Sequence, residues 1–151
     1  MRNLCATVSY EGTEFNGFQS QPYGRTVQQE IEKAIQVLTG EDILILGSGR
    51  TDAGVHAQGQ VFNFATESTI PAERWAIALN TRLPKDIVIL EVHEVSLSFH
   101  SRRSAKRKTY RYTIDMGKFP NVFERRYAFQ SSDAPSSGSD ARRVEAFDWR
   151  A

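Results

Sequence analysis

The stretch Gly49-Arg50-Thr51-Asp52-Ala53-Gly54-Val55-His56-Ala57 places a carboxylate two positions after an arginine, between two glycines. It runs straight into Gln58-Gly59-Gln60-Val61, which reads as the start of a strand. Gly49 and Gly54 can take backbone angles that other residues avoid, so the turn can be tight and can approach a ligand closely. Such a turn presents Asp52 at the mouth of a sheet. Two readings of Asp52 follow from its type and spacing. It is either a turn aspartate bonded to its own backbone, or a carboxylate held ionised by Arg50 and turn amides, ready to act as nucleophile or base. Spacing alone leaves both open.

The second concentration of reactive side chains is basic. Residues 101–126 hold nine Lys and Arg against only Asp115 and Glu124, whereas residues 1–100 hold seven Lys and Arg against twelve Asp and Glu. The net charge of +1 hides this asymmetry. Tyr110 and Tyr112 are interleaved with Arg102, Lys108 and Arg111. Cations neutralise phosphates and aromatic rings stack on an unstacked base, so RNA binding is favoured over a merely solvated strand face.

Other chemistries fit poorly. The spacing of Gly47, Gly49 and Gly54 matches no nucleotide-phosphate fingerprint, and no Gly-Lys-Ser/Thr follows. His56, His93 and His100 show no ligand spacing with Asp52, so no metal site is expected. Asp52 has no carboxylate partner nearby for glycoside hydrolysis.

The elements that must position these residues are legible in the apolar pattern. Asn3 to Tyr10 reads as a strand with Leu4, Ala6 and Val8 on one face. Thr26 to Thr39 carries Val27, Ile31, Ala34, Ile35 and Leu38 at helical spacing, with Thr26 as N-cap and Gly40 as stop. Ile43 to Leu46 reads as a short buried strand and Gln60 to Phe64 as a half-buried one. Pro71 to Arg82 reads as a second helix, with strands at Ile87 to Val95 and Lys108 to Ile114. This order predicts an α+β sandwich, a mixed sheet with helices on one face. From 131 to 151 the chain turns Ser-rich and polar, and a disordered tail is expected.

A length of 151 residues suits one domain with a real core, and 40% apolar with 25% charged residues is ordinary for a soluble protein. No run approaches a membrane span and no signal-peptide pattern opens the chain. Cys5 is the lone cysteine, expected as a small core residue; with no internal disulfide possible, a reducing cytoplasm fits best.

Several motifs together resemble one family. Val8-Ser9-Tyr10-Glu11-Gly12-Thr13 with Phe15-Asn16-Gly17-Phe18-Gln19 looks like the first strand and loop of the TruA family of tRNA pseudouridine synthases. Thr26-Val27-Gln28, the Asp52 stretch, Leu83-Pro84-Lys85-Asp86-Ile87, Phe99-His100-Ser101-Arg102 with Ser104-Ala105, and Lys108-Thr109-Tyr110-Arg111-Tyr112 follow in the family's order. The resemblance implies a mainly antiparallel, ferredoxin-like N-terminal domain over residues 1–130. It implies isomerisation of uridine to pseudouridine in the tRNA anticodon stem-loop, with no metal or organic cofactor. In that reading Asp52 is catalytic, Arg50 helps displace and replace the target uridine, and Tyr110 stacks on the uracil. Arg102, Lys108 and Arg111 contribute to RNA binding. The family works as homodimers and continues into a second, similar domain that is not recognisable after Gln130. The chain thus looks like an N-terminal part with an unrelated tail, and a non-catalytic RNA-binding fragment using 102–126 is the alternative function.

Overall fold

The computed structural model describes residues 1–131 and the backbone of 143–149. The chain forms two compact units, Met1–Ala105 and Lys106–Ala151. The break falls after Ala105 rather than near Gln130, where the composition changes.

In the first unit, β1 (Arg2–Tyr10) turns Leu4, Ala6, Val8 and Tyr10 into the core, while Cys5, Thr7 and Ser9 are half-buried on the other face. This is the strict alternation that a pleated strand imposes. Cys5 therefore departs from the expected core position: strand parity gives the core to Leu4 and Ala6. Its partial burial still raises the thiol pKa, with a smaller contribution from the Glu91 charge.

Helix α1 (Val27–Thr39) begins where the Thr26 hydroxyl accepts from the Gln29 amide, and it ends at Gly40, whose φ of 76° suits the left-handed stop. Val27, Ile31, Ala34 and Ile35 form its buried stripe. Next come β2 (Leu46–Gly47), β3 (Ala57–Thr66), α2 (Ala72–Asn80) and β4 (Ile87–Val95). The strand expected at Ile43 to Leu46 shrinks to two residues because the Ile45 amide donates to Glu32 Oε1 on α1 at 3.0 Å instead of joining a ladder.

The strand order β2-β3-β1-β4, antiparallel at every pairing, is the ferredoxin-like sheet the resemblance implies. Its buried strand residues join those of both helices in one core, centred on Phe62, Phe64 and Trp75. Trp75 meets Phe64 edge-on at 5.2 Å and its Nε1 donates to the Ile70 carbonyl at 3.1 Å, so even the indole's polar atom is satisfied.

The second unit is a three-stranded sheet of order β6-β5-β7, made of β5 (Lys108–Asp115), β6 (Phe129–Gln130) and β7 (Arg143–Trp149). β5 runs parallel to β6 and antiparallel to β7, in register from Lys108 opposite Trp149 to Ile114 opposite Arg143. Of the tail expected at 131–151, residues 132–142 and 150–151 lie outside the described residues. The backbone of Arg143–Trp149 is a strand, and Val144, Phe147 and Trp149 are residue types that favour extended chain.

Candidate active site

The segment between β2 and β3 carries Arg50 and Asp52, and the loop between β1 and α1 fixes its shape. Phe18 N donates to Thr51 O at 3.1 Å, and Gly54 N donates to Phe15 O at 3.2 Å. Within the turn, Val55 N donates to Asp52 O at 3.1 Å. Gly12 N donates to His56 Nδ1 at 2.8 Å, which makes Nδ1 an acceptor and puts the neutral ring's proton on Nε2.

The two loops meet backbone to backbone, and glycine permits it. A Cβ on Gly12 would lie 2.0 Å from Val55 O. Gly17, at φ 85°, leaves room where a Cβ would approach Thr51 O to 2.8 Å.

Arg25 braces the first loop from behind. Its guanidinium lies 4.2 Å over the Phe15 ring and forms a fork with Asp86 Oδ2 at 2.8 Å and Oδ1 at 3.0 Å. The Asp86 carbonyl also accepts from Glu11 N at 3.0 Å. The hydrogen bonds to the Asp86 carboxylate hold the Arg25 pKa above its ordinary value.

On this rigid loop Asp52 is exposed, and its carboxylate makes no hydrogen bond or ion pair among the described residues. The expected support from Arg50 and turn amides is not formed. The Gly54 and Val55 amides are committed to main-chain carbonyls, and Arg50 is exposed, with no ion pair among the described residues. The plainer reading of Asp52 fails too, since its main-chain oxygen, not its side chain, receives the Val55 amide. What remains is an uncommitted carboxylate on an over-determined loop.

Arg102 follows a buried polar network in the same unit. Ser101 N donates to Asn63 Oδ1 at 2.9 Å, and Ser101 Oγ donates to Leu46 O at 2.5 Å. Asn63 Nδ2 donates to Asn3 Oδ1 at 3.1 Å, and Asn3 Nδ2 donates to the Ser96 and Phe99 carbonyls. The network fixes the chain one residue before the exposed Arg102, whose own amide donates to His100 Nδ1 at 3.2 Å.

Lys108, Tyr110 and Arg111 lie on β5 of the second unit. Strand alternation puts Lys108 and Tyr110 on one face and Arg111 on the other. Tyr110 and Arg111 are exposed, as are Arg102, Arg103, Lys106 and Arg107.

The family described as tRNA pseudouridine synthase matches residues 6–103, which include the Asp52 loop and its supports. The chain belongs to that family. Among its relatives, the tRNA pseudouridine synthase A of Brevibacillus brevis is 53% identical over 128 residues, covering 85% of this chain and 52% of the relative. That of Bacillus subtilis is 51% identical over 134 residues, covering 87% and 54%. That of Shouchella clausii is 47% identical over 148 residues, covering 95% and 57%. The chain spans about half the length of the curated relatives it matches. Coverage of 95% also carries the last match past Gln130, into the segment expected to be unrelated to the synthases.

Sequence reasoning named Asp52 and Arg50 but gave no role to Tyr10, Gln60, Arg25 or Asp86. Arg25 and Asp86 are 61 residues apart, and no spacing rule pairs them.

Proposed function

We propose that the protein isomerises uridine to pseudouridine in the tRNA anticodon stem-loop, with Asp52 as the catalytic carboxylate. The observation that carries this reading is the Asp52 side chain itself, exposed and without a hydrogen bond or ion pair among the described residues, on a loop held by four hydrogen bonds of the first unit. A carboxylate with no structural task, on a pre-organised loop, is suited to engage a substrate without prior rearrangement.

The reaction breaks the bond between uracil N1 and ribose C1′, turns the base, and joins C5 to C1′; the C5 proton is released and N1 takes up a proton in its place. A base inside a stem must leave the stack first, at a cost of a few kcal/mol. Arg50, exposed two residues before Asp52, offsets that cost by filling the vacated place. Tyr110 offers a ring for the extruded uracil, and Arg102, Lys108 and Arg111 neutralise phosphates. No metal or organic cofactor is required for these steps. A cytoplasmic setting and a homodimeric assembly complete the reading; sedimentation of the protein with and without tRNA tests the assembly.

A second reading has its own support. The basic residues of 102–126 are largely exposed. That exposure suits an RNA-binding chain without turnover. Nucleoside chromatography of digested tRNA, after incubation with wild type or Asp52→Ala, separates the two. Pseudouridine formed by wild type and lost in Asp52→Ala supports catalysis. Equal tRNA binding with no pseudouridine from either supports the binding reading.

A further inference from the structure

Arg50 is exposed, yet the main chain on either side of it is held from behind. Gln60 of β3 donates Nε2–H to the Gly49 carbonyl at 2.7 Å. Tyr10, the last residue of β1, places its hydroxyl 3.0 Å from Gln60 Oε1 and 2.7 Å from Thr51 Oγ1. These bonds can run in one direction only. The Gly49 carbonyl only accepts, so the Gln60 amide group must face it and Oε1 must face Tyr10. The single phenol proton then goes to Oε1, and the Thr51 hydroxyl donates to Tyr10 Oη. The chain of bonds leaves the backbone one residue after Arg50 and returns to it one residue before.

Sheet irregularity brings the two side chains together. The β1–β3 register slips between Val8, opposite Gln60, and Tyr10, opposite Ala57. Such a bulge re-aims side chains at the end of a ladder. Tyr10 is 5% exposed, and burial raises the pKa of its phenol, which keeps the donor protonated.

We propose that Tyr10 and Gln60 are positioning residues for Arg50, fixing the direction in which its guanidinium leaves the loop toward RNA. The inference rests on the function proposed above. Asp52 is held by a separate set of bonds, from Phe18 N to Thr51 O and from Gly54 N to Phe15 O, so loss of the Tyr10 hydroxyl falls first on Arg50.

A double-mutant cycle tests this. Tyr10→Phe, Arg50→Ala and the double variant are compared in affinity for unmodified tRNA and in the rate of pseudouridine formation at saturating tRNA. Gln60→Glu is added because it keeps the acceptor for Tyr10 but loses the donor for Gly49. Tyr10→Phe and Gln60→Glu are each expected to lower one of these quantities about tenfold in the Arg50 protein, and to change it less than about twofold once Arg50 is alanine. Multiplying losses in the double variant, or a Tyr10→Phe protein equal to wild type, overturns the proposal. If Tyr10→Phe melts early, Thr51→Val and Thr51→Ser replace it: only the serine keeps the hydroxyl and restores the wild-type values. Equal turnover by wild type and Asp52→Ala sinks the catalytic reading alone, and the cycle is then read on affinity. A chain that neither binds nor modifies tRNA overturns both.

Discussion

Replacing Gly12 with alanine puts a methyl group where the structure has no space. The new Cβ would lie 2.0 Å from Val55 O, 2.6 Å from its carbonyl carbon and 3.1 Å from its nitrogen. All three are backbone atoms, so no side chain can rotate away. The two strands of loop must part by about 1 Å or more to reach ordinary contact. That movement also stretches the 2.8 Å bond from Gly12 N to His56 Nδ1. Overpacking costs about 1–3 kcal/mol and a weakened hydrogen bond about 1 more. For a unit of this size the Tm falls by about 10 °C or more. A 1 Å shift of the Asp52 loop also lowers turnover by up to about 100-fold. Gly59→Ala is the control, because its nearest neighbour is Thr7 Cγ2 at 3.7 Å, an ordinary contact. Removing a strand glycine there is neutral or stabilises by up to about 1 kcal/mol through the unfolded state. Thermal melts followed by circular dichroism, with isomerisation assays on the same samples, read both effects. A Gly12→Ala protein that melts with Gly59→Ala and turns over like wild type would refute the loop packing described above.

Three further outcomes follow from the same structure. Trp75→Ala removes a fully buried ring and its bond to Ile70 O, and denaturant unfolding should show a loss of about 3–5 kcal/mol; a loss under about 1 would mean the ring is not central to the core. The buried phenol of Tyr10 has a pKa raised in the folded state, so its contribution is complete below the ordinary phenol value of about 10 and is lost as pH rises through the raised value. Unfolding midpoints across the alkaline range should therefore fall less steeply in Tyr10→Phe, and identical slopes would contradict the assignment. Lys108→Ala should weaken tRNA binding at all sequences alike and reduce the slope of log affinity against log salt by about 1, whereas an unchanged slope would remove Lys108 from the phosphate contacts.

What the sequence disclosed was mostly local. Helix α1 was legible because its cap, apolar stripe and glycine stop all lie within fifteen residues, and the structure places each as read. The exposed turn of Arg50 and Asp52 was legible for the same reason, from glycines at either end. The supports of that turn were not. Tyr10 reaches Thr51 across 41 residues and Gln60 across 50, through a register slip that no propensity announces. Cys5 was misplaced because strand type fixes alternation but not which set faces the helices. Ile45 was read as strand on its apolar neighbours, while a single bond to Glu32 ties it to α1. Arg143–Trp149 was hidden by the Ser-rich residues before it, although its β-favouring residue types were in plain view.

The central claim is that Asp52 performs uridine isomerisation from its rigid loop. The measurement that meets it most directly is tritium release from tRNA labelled at uracil C5, with wild type and Asp52→Asn run side by side on folded protein. Asp52→Asn keeps the size of the side chain and the hydrogen-bonded loop beneath it. Release by wild type that disappears in Asp52→Asn is the result expected here. Equal release by both proteins, or none from wild type bound to tRNA, would contradict it.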